Sequence, residues 1–436
     1  MTSIAFVALF LALLGPPVWA QVEPDAGPKN GFHLYSVTGS FGYSSTALGA
    51  GYSSSVPGLG GDYFAQASTA VGYSQSGPNG NFSVIYVPSY SGQVRYSNLQ
   101  AFNQDLTIRL SRRLGLKLGW YLNGYGGDRT IETYLFAGNA LSQVAAADPT
   151  LNGLSDALNG GHTSSPNLVN AGQAILYGTR VLSEGATTGL TYRPTTRLRW
   201  SVSASGDQSQ ARPNSSYTDA AFFPRTKMLR GDLSMGYSLT TRTEVGFDVS
   251  TARLYGGFGR EQYSTAAVHV ARKLTTRWFA SGALGAGASN YRSTATAPTT
   301  LTYVTDLSLA YRSTEQTFAV NYNRYAGDFY GSNSRATQTY MGIWTWHNRG
   351  RSWSLQASGA YQTLAGGTLA GATVTQAGGA ISRGLTRQLS AGLDYGFAQF
   401  SGVSGVATGP TRAITSHGAR LSITWIPFLR ETPPLQ

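Results

Sequence analysis

The sequence has no cysteine and little charge. Among its 436 residues, Asp, Glu, Lys and Arg together make up only 12%, about half of the roughly 25% that soluble domains carry. The absence of cysteine excludes disulfides, cysteine-ligated zinc and a cysteine nucleophile. Beyond the extreme N-terminus, no apolar run approaches the roughly 18 residues that a membrane-spanning helix needs. These absences exclude a disulfide scaffold and a bundle of transmembrane helices.

Glycine and aromatic residues are abundant instead. The chain has 54 Gly, 26 Tyr, 18 Phe and 8 Trp, and its mean hydropathy is −0.15. The aromatic content excludes intrinsic disorder, and the high glycine content with little Glu and Lys excludes a coiled coil. An all-β chain remains, built from aromatic and small polar residues.

The N-terminus has the pattern of an export signal. Residues 4–14 (IAFVALFLALL) form an apolar run that is too short to span a bilayer but suits a signal-peptide core. Gly-Pro-Pro at 15–17 ends the run, and Val-Trp-Ala at 18–20 is a cleavage box of the small-x-small type. We predict a signal peptide over residues 1–20 and a periplasmic N-terminal segment over residues 21–31.

Basic, threonine-rich turns recur along the chain. Thr276, Thr314, Gly350 and Thr386 mark four of them, spaced 38, 36 and 36 residues apart. Each interval holds two runs of alternating character: in residues 353–361 the odd positions read WLAGY and the even positions SQSA. A period of two predicts β-strands, here joined alternately by short turns and longer loops.

The alternation favours a membrane barrel over a soluble β-sandwich. The runs are about 11–14 residues long, which exceeds the 5–6 of soluble strands and suits tilted strands crossing a bilayer. Strands in a bilayer must close, because the hydrocarbon leaves no water for an open edge. We predict an all-β, transmembrane antiparallel up-and-down barrel of 18 strands over residues 32–428. The predicted strands include residues 114–126, 180–193 and 260–273. Sixteen strands is the alternative, because residues 32–44 and 372–384 alternate poorly.

The chain resembles the bacterial outer-membrane β-barrel superfamily. The resemblance rests on the export signal, the alternating strands, the rhythm of short turns and long loops, and a last strand ending in Leu421-Ser422-Ile423-Thr424-Trp425. It names no particular porin family. It implies the bacterial outer membrane with both termini in the periplasm, contact with outer-membrane lipid and lipopolysaccharide, and assembly by the barrel-assembly machinery. Residues 429–436 follow as a C-terminal tail.

One segment interrupts the repeat. Residues 127–179 are too long for an ordinary loop and contain a plausible short helix at residues 144–158. We expect an insertion that either extends from the surface or folds into the lumen as a constriction.

The sequence offers little catalytic chemistry. Its five His have no metal-ligand spacing, and no HExxH motif is present. His269 with Asp248 could pair across adjacent strands, but a role in the wall is the more economical interpretation. We therefore predict no enzyme, no cofactor and no metal. The net charge of +12 comes without a basic run, so we expect no nucleic-acid partner.

Parity places charged residues on the inward face. In a wet pore such charges are tolerated and tune selectivity. A barrel of this size leaves an aqueous channel unless it is plugged. The main expectation is therefore a porin-like channel for passive diffusion of small polar solutes, with a polysaccharide-export barrel or a structural or adhesive barrel as alternatives. The candidate lumen-lining residues are Asp105, Arg109, Lys117, Arg199, Arg230, Asp232, Glu244, Asp248, Asp306, Arg312, Asp394 and Arg420.

Overall fold

A computed structural model describes residues 30–45, 61–95, 100–130, 180–212, 225–256, 259–292, 299–326, 336–348, 352–365, 371–401 and 414–427. Within these ranges eighteen strands form one antiparallel sheet. The strands are β1 (Gly31–Ser44), β2 (Asp62–Gly77), β3 (Gly80–Gln93), β4 (Ala101–Arg113), β5 (Leu118–Thr130), β6 (Arg180–Tyr192), β7 (Leu198–Arg212), β8 (Thr226–Thr240), β9 (Thr243–Gly256), β10 (Gly259–Lys273), β11 (Trp278–Arg292), β12 (Thr300–Arg312), β13 (Gln316–Ala326), β14 (Ala336–His347), β15 (Trp353–Ala365), β16 (Thr373–Gly384), β17 (Leu389–Ser401) and β18 (Ile414–Trp425).

The sheet closes on itself. Every strand pairs with the next one along the chain, and β1 pairs with β18 over the register Val37–Trp425 to Ser44–Gly418. The predicted 18-stranded up-and-down barrel is therefore confirmed, and the sixteen-stranded alternative is wrong. No helix in the described ranges is long and apolar enough to cross a bilayer.

One predicted strand is shifted. We expected a strand over residues 114–126, but β5 runs from Leu118 to Thr130. Residues 114–117 instead form a turn, which the Leu114 amide closes by donating to the Leu118 carbonyl. The first four residues of the expected insertion at 127–179 therefore belong to β5. The rest of that insertion, the signal peptide and the tail lie outside the described residues.

The two faces of the barrel differ in chemistry. Along β10, Val268 is 64% exposed while the next residue, His269, is 6% exposed. Large apolar side chains such as Leu284, Leu301 and Leu421 also stand exposed on the outer face. A soluble protein would cover so much apolar surface. An apolar outer band is the defining surface of a membrane barrel, so the fold is that of an outer-membrane-type barrel.

The barrel has two distinct ends. The turn end carries connections of two to five residues, such as 241–242 and 313–315. The loop end carries connections of seven residues or more, apart from the two-residue connection 257–258. At the turn end a threonine caps many connections: Thr275 Oγ1 accepts hydrogen bonds from the amides of Arg277 and Trp278. Thr195 and Thr386 act in the same way. This local capping explains the Thr-rich repeat of the sequence.

Tryptophan marks the turn end. Every tryptophan of the described residues lies on the outer face within four residues of that end, a set we call the tryptophan ring: Trp120, Trp200, Trp278, Trp344, Trp346, Trp353 and Trp425. Tyr361 on β15 follows Trp353 by eight residues, which is about 26 Å along a strand and about 20 Å along the bilayer normal at a tilt of roughly 40°. Such aromatic girdles flank the apolar band of membrane barrels.

The wall turns a sharp corner at β11 and β12. Cα atoms of β10 and β13 come within 8 Å of each other although two strands separate them, whereas an evenly curved sheet would hold them about 14 Å apart. Inner-face residues of β11 are small, including Ala283, Gly285 and Gly287. A Cβ on Gly285 would lie 1.9 Å from the Ala266 carbonyl oxygen. Glycine at 285 therefore allows the close approach of β11 to its neighbour β10 beside the corner.

Candidate functional site on the inner face

Strand register assigns the predicted residues to the inner face. Eleven of the twelve candidates stand at strand positions that alternate with the exposed apolar side chains of the outer face: Asp105, Arg109, Arg199, Arg230, Asp232, Glu244, Asp248, Asp306, Arg312, Asp394 and Arg420. Lys117 does not, because it lies in the turn between β4 and β5. Our parity argument for Lys117 required a strand that began at residue 114, four residues before β5 begins.

Four inner-face side chains form a network near the turn end. Arg199 Nη2 donates to Glu244 Oε1 at 3.1 Å. His269 Nδ1 lies 2.6 Å from Asp248 Oδ2, and its Nε2 lies 3.9 Å from Glu244 Oε1. Gly246 makes room for this imidazole, since a Cβ there would lie 2.6 Å from His269 Nε2. The charges of β7, β9 and β10 are thus linked across the wall.

The His269–Asp248 pair resembles two thirds of a catalytic triad, but the third member is missing from the described residues. His269 Nε2 is buried and has no hydrogen-bond partner there, so no hydroxyl in that part of the chain is positioned as a nucleophile. The described residues also hold no group of three His, Asp or Glu side chains suited to a metal ion. The pair is best understood as part of the wall.

Two further ion pairs lie toward the loop end. Arg230 Nε donates to Asp232 Oδ1 at 2.7 Å on β8, and Arg129 on β5 pairs with Asp105 on β4. Arg129 lies within the predicted insertion at 127–179 and is therefore absent from the candidate residues. Continuing the alternation of β5 by three residues beyond the predicted end would have found it.

The buried polar residues on the remaining strands are tied together. Asn321 Nδ2 donates to Asp306 Oδ2 at 3.2 Å and to Ser308 Oγ at 2.7 Å, which links β12 and β13 at the corner. Arg420 Nη2 donates to Asp394 Oδ2 at 3.2 Å across β17 and β18, and the Arg420 side chain is only 5% exposed. These contacts hold the wall together and contribute little to a water-filled path.

Exposure separates a wet sector of the inner face from a covered one. The Asp248 side chain is 42% exposed, and Arg109 and Arg113 on β4 are exposed as well. In contrast, the inward Thr337 on β14 and Val374 on β16 have no exposed surface. The described inner face thus carries solvent-exposed charge on β4 and β9, whereas its loop-end positions on β14 and β16 are covered.

Several inner-face charges escaped the sequence analysis. By register these are Asp62, Arg113, Arg129, Asp207, Glu261 and Lys273. Glu261 and Lys273 share the parity of His269 on β10, so the alternation already contained the signal. Assigning every second residue of β10 to the inner face, up to both ends of the strand, would include these two charges.

A closed barrel with an apolar exterior and a charged, partly hydrated interior defines the class of outer-membrane-type β-barrels. No protein-family model matches this chain, and no curated protein matches it. Solved structures do match.

The chain is similar to a BenF-like porin from Pseudomonas fluorescens Pf-5, with 9% identity, a TM-score of 0.43, and 92% of this chain and 99% of that chain covered. It is also similar to OccK2 (OpdF) of Pseudomonas aeruginosa in complex with glucuronate, with 8% identity, a TM-score of 0.42, and 91% and 98% of the two chains covered. For the FrpB iron transporter of Neisseria meningitidis the identity is 7%, the TM-score 0.40, and the coverage 92% and 83%.

Proposed function

We propose that this protein is an outer-membrane channel through which small polar solutes diffuse passively. The observation that carries the proposal is the hydrated, charged sector inside a closed barrel of 18 strands. Barrels of 16–18 strands enclose a lumen wide enough for water and small solutes. Charged side chains on the wall of such a lumen stay solvated and act on the ions that pass.

The alternatives make different demands on the inner face. A conduit for an exported polysaccharide would need a continuous track of one charge sign with aromatic platforms. The described inner face carries Arg199 and Glu244 in contact with each other, and Arg230 in contact with Asp232.

A structural or adhesive barrel would need no hydrated charge inside. An enzyme would need a nucleophile beside His269, and the described residues offer none.

Planar-bilayer recording tests the proposal directly. Purified protein, refolded in detergent and added to a lipid bilayer, should insert in steps of constant conductance. A protein that folds, judged by its strand content and its resistance to unfolding in detergent, but never conducts would overturn the channel function.

The absence of cysteine makes a sharper test possible, because any introduced thiol is unique. Asp248→Cys puts a thiol on the exposed part of the inner face, and Val249→Cys puts one on the outer face one residue away. A positively charged and a negatively charged thiol reagent should shift the conductance of Asp248→Cys channels by different amounts. Neither reagent should change Val249→Cys channels. Equal responses of the two variants would contradict a lumen at this face.

The proposed location is the bacterial outer membrane, with both termini in the periplasm. The first residue of β1 and the last residue of β18 lie at the turn end with the short connections, and short turns are the periplasmic side of bacterial barrels. Lipopolysaccharide is the proposed partner at the loop end, where Lys227, Arg253 and Arg260 stand exposed on the outer face. We also propose recognition of β18 by the barrel-assembly machinery.

A further inference from the structure

The charges on the inner face are not evenly distributed along the barrel axis. Dividing each strand at its midpoint gives a loop half and a turn half. The described loop half carries five acidic and two basic residues: Asp62, Asp105, Asp207, Asp232 and Glu261, with Arg129 and Arg230. Its net charge is −3.

The described turn half has the opposite sign. It carries three acidic and six basic residues: Glu244, Asp248 and Asp394, with Arg109, Arg113, Arg199, Lys273, Arg312 and Arg420. The charges of the buried Asp394–Arg420 pair cancel, so the excess comes from the other residues. Its net charge is +3, and Asp306 lies at the midpoint of β12.

We propose that the lumen is a bipolar pore, with a negative zone at the loop end in series with a positive zone at the turn end. The inference rests on the channel function proposed above. A negative wall concentrates cations and a positive wall concentrates anions, over a distance set by the Debye length. That length is about 10 Å at 0.1 M salt and about 3 Å at 1 M. The two zones therefore control the ions in the lumen at low salt and lose control at high salt.

Two such zones in series rectify current. With the loop side positive, cations move from the negative zone toward the boundary between the two zones. Anions move toward the same boundary from the positive zone. Ions then accumulate in the lumen and the conductance is high. With the loop side negative, cations and anions are both drawn away from the boundary between the zones. The lumen is then depleted of ions, and the conductance falls.

Single-channel currents at equal and opposite voltages test this inference. In 0.1 M KCl the current should be larger with the loop side positive, by roughly twofold for zones of three net charges. In 1 M KCl the two currents should become nearly equal. The direction of insertion is read from biotinylated Thr386→Cys in the turn between β16 and β17. Streptavidin should alter the current only from the chamber that the turn end faces.

The chain offers a matched pair of variants. Arg113 and Lys273 are inner-face residues at the turn end, and their neighbours Arg112 and Arg272 are exposed on the outer face. Arg113→Glu with Lys273→Glu changes the turn half from +3 to −1 and should abolish rectification. Arg112→Glu with Arg272→Glu makes the same change in net charge outside the lumen and should preserve it.

The outcomes separate the two proposals. A folded protein without conductance refutes the channel itself. A conducting channel with equal currents in 0.1 M KCl, or with the larger current at the opposite polarity, refutes the bipolar pore and leaves the channel intact. Loss of rectification in both double variants also refutes it, because the effect would then not depend on the charges of the lumen.

Discussion

Replacing Asp394 by asparagine should destabilise the barrel strongly, because the Arg420 side chain is 5% exposed and loses its opposite charge. Asp394 Oδ2 accepts hydrogen bonds from Arg420 Nε at 3.3 Å and Nη2 at 3.2 Å. Removing one partner of a buried ion pair costs about 3–5 kcal/mol. Arg420 has further interactions, so we expect the lower end, about 3 kcal/mol, or about 150-fold in the unfolding equilibrium.

Urea unfolding of the folded barrel in lipid vesicles, followed by tryptophan fluorescence, measures this loss. Asp105→Asn is the matched control, because it breaks an inner-face pair whose side chains are 20% and 29% exposed. That pair is more exposed than Asp394–Arg420, so its loss should cost less, about 1–2 kcal/mol. The double variant Asp394→Leu with Arg420→Met should recover most of the loss, because it leaves no unpaired charge.

Two results would refute this reasoning. Equal costs for Asp394→Asn and Asp105→Asn would mean that burial does not decide the strength of these pairs. A double variant as unstable as Asp394→Asn would mean that the loss comes from packing and not from the unpaired guanidinium.

Three further outcomes are expected. Single cysteines scanned along 353–361 should react with a lipid-soluble reagent at odd positions and not at even ones; uniform labelling would contradict the two faces of β15. An epitope inserted at Gly405 should be accessible to antibody on intact cells, and one at Arg387 should not; the reverse would invert the proposed topology. Gly189→Val should destabilise the barrel by about 1–3 kcal/mol, because a Cβ there would lie 2.6 Å from the Tyr121 ring; an unchanged urea midpoint would show that the ring moves aside freely.

The sequence predicted the architecture because strand period, strand length and turn chemistry are local properties. The boundaries of β6 and β10 were expected at 180–193 and 260–273, and they are found at Arg180–Tyr192 and Gly259–Lys273. Alternation then assigned eleven of the twelve candidate residues to the inner face. The start of β5 was predicted too early because Leu114 and Leu118 are both apolar and fit the same alternating pattern. The hydrogen bond from the Leu114 amide to the Leu118 carbonyl shows that a turn separates them.

The pairing of inner-face charges was less accessible to sequence analysis. Alternation assigned Asp394 and Arg420 to the same face, but their contact depends on the register between β17 and β18. The corner at β11 and β12 was not foreseen, because it depends on how the whole sheet closes. Asp306 and Asn321 are buried there and hydrogen-bonded to each other, a contact that depends on the pairing of β12 with β13.

The tryptophan ring gives the protein an intrinsic optical gauge. Its indoles lie on the outer face within four residues of one rim, so their emission should report a narrow band of depths. Quenchers attached at graded depths along lipid acyl chains should therefore give one maximum of quenching, at that band. The depth of the quencher that gives this maximum would report how far the barrel has inserted into a vesicle during folding, without any added label.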